Sequence, residues 1–288
     1  MEKRNGGGMN NPGDKGSQAQ PNGIADVFNL IAAGYDREAL RFFPYAADRL
    51  IARLKPGRGV KILDIATGTG AVALAAAQAV GTTGRVIGID FAEAMLEQAE
   101  RKIRQFGIGN IDLHTMDAMH LDFRAAYFDS VVCSYGLFFL PDMTAALREW
   151  QRVLKPSGGL MFTSFGAAAF RPMIDLFMAR FEGYCQGARP VAASKLNTAE
   201  LCRDVLVSAG LTDVEVAGEP LGYHLKGATD WWEVVYNSGL RGLLDQLPAD
   251  DRFIFQREHM QEVGRLVTDQ GLWLNVETLF SFGRKPVA

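Results

Sequence analysis

The sequence predicts an α/β fold: a doubly wound sheet of about seven strands, the last antiparallel, with N-terminal helices and a helical insertion forming a lid. Three observations carry it. The run VKILDI (60–65) has no solvent face and is followed by a Gly-containing turn and a helix-forming stretch, the pattern of a strand covered on both sides. Strand-like and helical segments then alternate to Phe165, which calls for parallel strands joined by right-handed crossovers. Finally, the aromatic-rich segment 220–271 is too long for a simple connection and precedes a terminal strand, so it is read as an insertion over the sheet edge.

From Ile24 to Leu54, Val27, Ile31, Tyr35, Leu40, Phe43, Ala46, Leu50 and Leu54 recur at helical spacing, which predicts two amphipathic helices broken near Gly34 and Pro44. The first strand ends at DIATGTG, and AVALAAAQAV continues as a helix. RVIGID (85–90) reads as the second strand. In the helix from Glu93 to Phe106, Met95, Ala99, Ile103 and Phe106 share one face, with Glu97/Arg101 and Glu100/Arg104 at i, i+4. Ile111–Met116, Phe128–Ser134 and Gly159–Phe165 are the third, fourth and fifth strands. Met143, Leu147, Trp150 and Leu154 mark a helix that stops at Lys155, ahead of Pro156 and Gly158. Asn197 with Glu200 suggests a capping box opening a helix that closes at Gly210. LTDVEVA (211–217) is the sixth strand, and LNVETLFSFGRK (274–285) the last. The domain reading is a mobile tail over 1–23, a helical cap over 24–58, a cofactor-binding domain over 59–219 and 272–288, and a substrate lid over 220–271.

Composition narrows the function. The 288 residues include 48% apolar and 22% charged residues, a globular balance. Lys plus Arg number 30 against 33 Asp plus Glu, so nothing draws the chain to nucleic acid or anionic lipid. Three scattered cysteines, Cys133, Cys185 and Cys202, cannot build a disulfide framework and fit a reducing cytoplasm. The first 23 residues lack both an apolar signal stretch and anything to bury, and no apolar run reaches membrane-spanning length, so no stable membrane insertion is expected. The partner is then a small molecule and the protein a monomer or homodimer. No paired Cys/His spacing or H-E-x-x-H occurs, so no catalytic metal is expected.

Chemistry concentrates at the strand ends. In an open parallel sheet, ligands bind outside the carboxyl ends of the strands. Asp64 ends the first strand there, and Gly68 and Gly70 in the turn let the backbone approach a ligand. Asp90 ends the second strand 20 residues beyond Gly70, where a carboxylate can accept from both ribose hydroxyls. This spacing specifies a nucleoside-containing cofactor. A pyrophosphate would meet Asp64 with like-charge repulsion, whereas a cationic amino group would be drawn to it. S-adenosylmethionine has that ammonium, a sulfonium and no phosphate. Asp117, after the third strand, can accept from the adenine amino group while Phe91, Ala118 and Met119 sandwich its faces; Tyr35 can close over the methionine end.

These segments together resemble the class I S-adenosylmethionine-dependent methyltransferases, from about Asp26 to Phe165. ILDIATGTG looks like the first motif, with Ala66 where Gly is common; IGIDFAEAMLEQA (87–99) resembles the second, TMDAMHLDF (115–123) the adenine loop, FDSVVCSYGLFFLPD (128–142) the fourth-strand motif, and LREWQRVLKPSGGLMF (147–162) the entry to strand five. The nearest branch holds the ubiquinone and menaquinone biosynthesis methyltransferases, which FNLIAAGYDREALRF (28–42) and Ser134, Tyr135, Gly136, Leu137 resemble. The resemblance implies a Rossmann-like fold and cofactor contacts at Thr69, Asp90, Asp117, Ala118 and Ser134. The expected cofactor set comprises these with Tyr35, Asp64, Ala66, Thr67, Gly68, Gly70, Phe91, Met95 and Met119. Phe138 and Phe139 stand where the quinone enzymes usually carry polar residues, which weighs against a quinone acceptor.

The expected acceptor pocket lies between Tyr35, Tyr135, Phe138 and Phe139, roofed by Phe170, Tyr184, Tyr223, Trp231 and Tyr236, and suits a flat or apolar metabolite. The sulfonium is an activated electrophile, so transfer mainly requires alignment. Should a general base serve an oxygen or carbon acceptor, His224 and His120 are the candidates. Two other readings remain at this level: an NAD(P)-dependent oxidoreductase, against which Asp64 and the missing third Gly of G-x-G-x-x-G argue, and a cofactor-binding partner protein without transfer activity.

Overall fold

A computed structural model describes residues 23–185 and 192–287. The expectation of a mobile tail falls, Gly23 excepted, outside them. The core is built from β1 (Lys61–Ile65), α3 (Ala71–Val80), β2 (Arg85–Asp90), α4 (Glu93–Phe106), β3 (Ile111–Thr115), β4 (Phe128–Ser134), α5 (Met143–Val153) and β5 (Leu154–Phe165). It is preceded by α1 (Ile24–Ile31) and α2 (Phe42–Leu54), with two 3₁₀ turns between them. After β5 come α6 (Met173–Tyr184), α7 (Ala199–Ser208), β6 (Thr212–Pro220), β7 (Tyr223–Leu225), α8 (Ala228–Tyr236), α9 (Arg241–Leu244), α10 (Ala249–Gly264), β8 (Leu272–Leu274) and β9 (Glu277–Arg284).

Seven strands form one sheet in the order β3-β2-β1-β4-β5-β9-β6. β1 to β5 pair in parallel, and β9 lies antiparallel between β5 and β6. Alternation along each strand divides the core. Leu63, Ile65, Val131, Cys133, Leu160 and Phe162 enter one layer, and Ile62, Val132 and Met161 the other. The second layer is closed by Leu50 and Ile51 of α2 and by Val72, Ala73, Ala76 and Ala77 of α3, whose small side chains let that helix sit close on the sheet. Both faces are therefore covered, as the unbroken apolar strand sequences require.

Several local expectations shift. Pro44 does not break a helix; it sits in the first turn of α2, where its missing N–H has no intrahelical acceptor to lose. The α7 cap is Thr198, not Asn197: the Thr198 hydroxyl accepts from Leu201 N–H at 3.2 Å. Of the two expected α4 pairs, Glu100 and Arg104 meet at 2.6 Å, while Arg101 donates to the Glu97 carbonyl at 3.4 Å instead. β5 begins at Leu154, where the sequence suggested the end of a helix, because Leu154 pairs with Phe128 across an irregularity in register.

Segment 220–271 is helical with a strand of its own. β7 pairs with β8 as a two-stranded ribbon, and α10 packs on both α6 and α8 around Phe177, Phe181, Phe255 and Trp231. Arg180 of α6 ion-pairs with Glu258 and Glu262 of α10. This body is tied to the N-terminal helices. Tyr223 donates its hydroxyl to the Ala39 carbonyl at 2.8 Å, Arg41 donates to the His224 carbonyl at 3.0 Å, and Arg37 pairs with Glu233 at 2.9 Å. Gly34 lies so close to Asn237 that a Cβ there would stand 1.9 Å from Asn237 Oδ1.

Tyr223→Phe leaves the Ala39 carbonyl unpaired beside a buried ring and is expected to destabilise the protein by about 1 kcal/mol, a fall of about 2–3 °C in melting temperature. Scanning calorimetry of the two proteins checks this, and an unchanged melt would show that the tie contributes nothing.

Candidate functional site

The site forms where β1, β2 and β4 end. The β1–α3 turn needs positive φ at Ala66 (54°), Gly68 (55°) and Gly70 (85°). Glycine adopts this freely; Ala66 is held there against its Cβ by a close neighbour, since a Cβ on Gly136 would lie 2.7 Å from that of Ala66. The turns after β1 and β4 are thus pressed together. Tyr135, with φ 53°, follows the same demand in the β4 turn.

Two carboxylates sit under this turn. Asp90 accepts from Gly68 N–H at 2.8 Å and from Ala92 N–H at 2.9 Å, so its orientation is set by two backbone amides. Burial still raises its pKa. Asp64 has no exposed surface. Its Oδ2 accepts from the Thr67 hydroxyl at 2.6 Å, while Oδ1 has no hydrogen-bond partner. Burial pushes it up to about 7, against the Thr67 hydroxyl and the N–H of Ala73, with the charge of Asp90 adding to the rise. Ala73 belongs to the first turn of α3, so the positive end of that helix is already turned on the chain's own carboxylate. A phosphate seeking the helix N-terminus would meet that acid.

A cavity of about 370 Å³ opens beside these groups. Of the residues expected at a cofactor, Tyr35, Ala66, Gly68, Asp90, Phe91, Met95, Asp117, Ala118, Met119 and Ser134 line it. Asp64, Thr67, Thr69 and Gly70 do not; they lie behind the turn. The Thr69 hydroxyl donates to Asp36 at 2.7 Å, and Lys102 reaches the same carboxylate at 2.8 Å, so Thr69 anchors the segment carrying Tyr35. Asp117 accepts from Met119 N–H at 2.8 Å and pairs with His120 at 2.9 Å. Partial burial pushes its pKa up, but these two bonds outweigh it and hold it below the usual carboxylate value.

A second cavity, of about 490 Å³, is lined by Phe42, Phe43, Phe138, Phe165, Phe170, Ile174, Met178, Leu240 and Leu243 among others. Ile24, Phe28, Tyr35, Tyr135 and Phe139 line both cavities and form their common wall. Tyr135 is fixed there by stacking on Phe165 at 4.2 Å and by a 2.7 Å hydrogen bond between its hydroxyl and that of Thr278. Tyr35 stacks on Phe43 at 4.4 Å. Burial, Asp90 and Asp36 raise the Tyr35 pKa, and burial raises that of Tyr135, so both stay protonated at neutral pH.

The structure brings Tyr135, Phe138, Phe139 and Phe170 to this cavity but not Tyr184, Tyr223, Trp231 or Tyr236. Trp231 is fully buried and donates Nε1–H to His259 Nε2 at 2.8 Å; Tyr184 packs on Phe255. Tyr223 lies under Arg41, 3.7 Å from its guanidinium carbon, and Tyr236 under Arg241 at 4.1 Å. Neither histidine candidate lines either of these two cavities. His224 is on the exposed side of the β7–β8 ribbon against Trp273, and the His120 ring is spent on Asp117. Burial pushes His259 down to about 4 among α6, α8 and α10. No cluster of His, Cys, Asp or Glu able to hold a metal occurs among the described residues.

Sequence reasoning missed Ile24 and Phe28, which line both cavities. Their spacing of four was a signal: α1 carries a second apolar stripe beside the buried Val27 and Ile31. It also missed Phe165, Arg171, Ser194 and Asn197, which no local pattern marks.

Fold and crevice together are those of an S-adenosylmethionine-dependent methyltransferase. The chain belongs to the ubiE/COQ5 methyltransferase family, whose model matches residues 15–200. It is 38% identical over 149 residues to the aklanonic acid methyltransferase DauC of Streptomyces sp. (strain C5), covering 51% of this chain and 68% of that protein. It is 37% identical over 146 residues to the demethylmenaquinone methyltransferase of Geobacillus kaustophilus (strain HTA426), covering 49% and 62%. The match to the nocamycin O-methyltransferase of Saccharothrix syringae is 35% over 137 residues, 48% of this chain and 49% of that one. The latter two are thus matched over less than two thirds of their length. Among solved structures, the YcgJ protein of Bacillus subtilis aligns at a TM-score of 0.58 and 21% identity, over 85% of this chain and 100% of that one. The [4+2]-cyclase SpnF aligns at 0.56 and 18%, over 92% and 94%. These two likenesses concern the fold. Among the described residues, no helix is long and apolar enough to cross a membrane.

Because the folded Asp64 binds its proton more tightly than an ordinary carboxyl at 3.8, its contribution to stability is complete below pH 4 and is lost as pH rises through about 7. Asp64→Asn is therefore expected to raise the melting temperature of the ligand-free protein at pH 8 but not at pH 4. Melts across that range check the sign; an equal effect at both ends would contradict the buried acid.

Proposed function

We propose that the 370 Å³ cavity binds S-adenosylmethionine and the 490 Å³ cavity binds a small, aromatic or apolar metabolite methylated at oxygen or carbon. The observation that carries this is the common wall: a group at the end of one cavity meets the other directly, between Ile24, Phe28, Tyr35, Tyr135 and Phe139. On this reading 24–58 caps the cofactor, 59–219 and 272–288 hold it, and 220–271 closes over the acceptor.

The residues present fit the cofactor. Asp90 keeps acceptor capacity on both oxygens for the ribose hydroxyls, and Asp64, behind the turn with its Oδ1 unpartnered, favours an ammonium in the adjacent cavity through its charge. Asp117, Phe91 and Met119 offer an acceptor and flat or soft surfaces for adenine. Bound there, S-adenosylmethionine supplies an activated methyl for in-line displacement, leaving S-adenosylhomocysteine.

The chain's own contribution is alignment and exclusion of water. With no imidazole among the described residues lining the acceptor cavity and both tyrosines neutral, we read the acceptor's lone pair as supplied by its own ionisation. One relative is named for an acceptor that is an acid, aklanonic acid.

Thermal shift tests the cofactor. S-adenosylmethionine and S-adenosylhomocysteine at 100 times their dissociation constants should each add about 2.7 kcal/mol to stability, NADH nothing, and Asp90→Ala should lose the shift. Stabilisation by NADH alone would overturn the proposal.

A further inference from the structure

The acceptor cavity is aromatic inside and polar at its opening. Phe42, Phe138 and Phe170 are buried, whereas Arg171 and Asp175, which line the same cavity, keep 60% and 51% of their side-chain surface exposed. These two therefore stand at the mouth. Their mutual contact is thin: Arg171 Nε lies 3.6 Å from Asp175 Oδ1, a separation at which an exposed i, i+4 pair contributes little. Both terminal nitrogens of the guanidinium are without a partner among the described residues, in the planar fork that binds a carboxylate through two parallel hydrogen bonds.

Two more polar groups line this cavity with no side-chain partner among the described residues: the Asn197 amide and the Ser194 hydroxyl. Asn197 is free because Thr198 takes over the cap of α7. Ser238 and Gln246, also in the lining, are engaged: Ser238 Oγ accepts from Leu240 N–H, and Gln246 donates to the Gly242 carbonyl. The unspent groups are thus one cation, one carboxylate and two groups, the Asn197 amide and the Ser194 hydroxyl, that can donate as well as accept. A long hydrocarbon substituent lying against this charge would strip its water without compensation, whereas an oxyanion would replace that water with charge-assisted hydrogen bonds.

We propose that the acceptor is an aromatic molecule carrying an anionic oxygen group, a carboxylate or its equivalent, at the end remote from the transferred methyl, and that Arg171 is the specificity-determining residue that reads it. Ser194 and Asn197 supply further hydrogen bonds, and Asp175 holds Arg171 at the mouth until the anion displaces it. The proposal rests on assigning the larger cavity to the acceptor. It separates acidic aromatic acceptors from neutral ones bearing hydrocarbon tails.

The test is calorimetric titration of the S-adenosylhomocysteine-loaded protein with anthraquinone-2-carboxylate and with the corresponding primary amide. The acid is expected to bind about tenfold more tightly than the amide. Arg171→Gln should abolish that preference while leaving amide binding and S-adenosylhomocysteine binding unchanged. Asp175→Asn, which removes the competing carboxylate, should tighten the acid alone. Equal affinity for acid and amide, or a preference that survives Arg171→Gln, overturns the inference and leaves the cavity assignment intact. Failure of both probes to bind while S-adenosylhomocysteine does would overturn the aromatic-acceptor reading and this inference with it.

Discussion

Two carboxylates on adjacent strand ends, Asp64 buried and Asp90 half-buried at the cavity wall, are the constraint around which the rest of the site is arranged. The charge of Asp90 adds to the cost of ionising Asp64, which is kept from water, and among the described residues neither forms an ion pair that would offset it. They are held by neutral donors instead: the Thr67 hydroxyl, the N–H groups of Gly68 and Ala92, and the first turn of α3. Such an arrangement is costly in the empty protein and favourable when a positively charged ligand arrives. It also explains the backbone. Asp90 can accept from Gly68 N–H only if the β1 turn folds back with positive φ, and that fold brings Ala66 against Gly136.

The same turn organises the second half of the site. Thr69 and Lys102 grip Asp36, placing Tyr35 over the junction of the two cavities. Tyr35 is continuous with the 3₁₀ turns and α2, and these are bound to β7 and α8 through Arg37, Arg41 and the Ala39 carbonyl. The N-terminal helices and segment 220–271 are therefore joined across the cavities. On the proposed assignment, the cofactor and acceptor sides share the walls formed by Tyr35, Tyr135 and Phe139.

Much of the sheet was legible because its strands are apolar on both faces and its helices amphipathic, and those periods differ. β2, β4 and α4 run over the same residues in sequence and structure. The Asp64, Gly68, Asp90 and Asp117 spacing was legible for a related reason: each residue is placed by a strand end, and strand ends can be located locally. The acceptor side was not. Trp231, Tyr223 and Phe170 look alike in sequence, yet only Phe170 lines the cavity, because whether an aromatic ring fills a lid core or faces a void depends on long-range packing. The three-residue strands β7 and β8 are too short for a periodic signal, so His224 could not be placed on an exposed ribbon.

The account turns on Asp64 being a buried acid that a cationic ligand ionises. Calorimetric titration of S-adenosylhomocysteine at pH 7, in buffers of different ionisation enthalpy, measures the protons exchanged on binding. The wild-type protein should release more protons than Asp64→Asn, because the ammonium draws the carboxyl down from about 7. Identical proton exchange in the two proteins would contradict it.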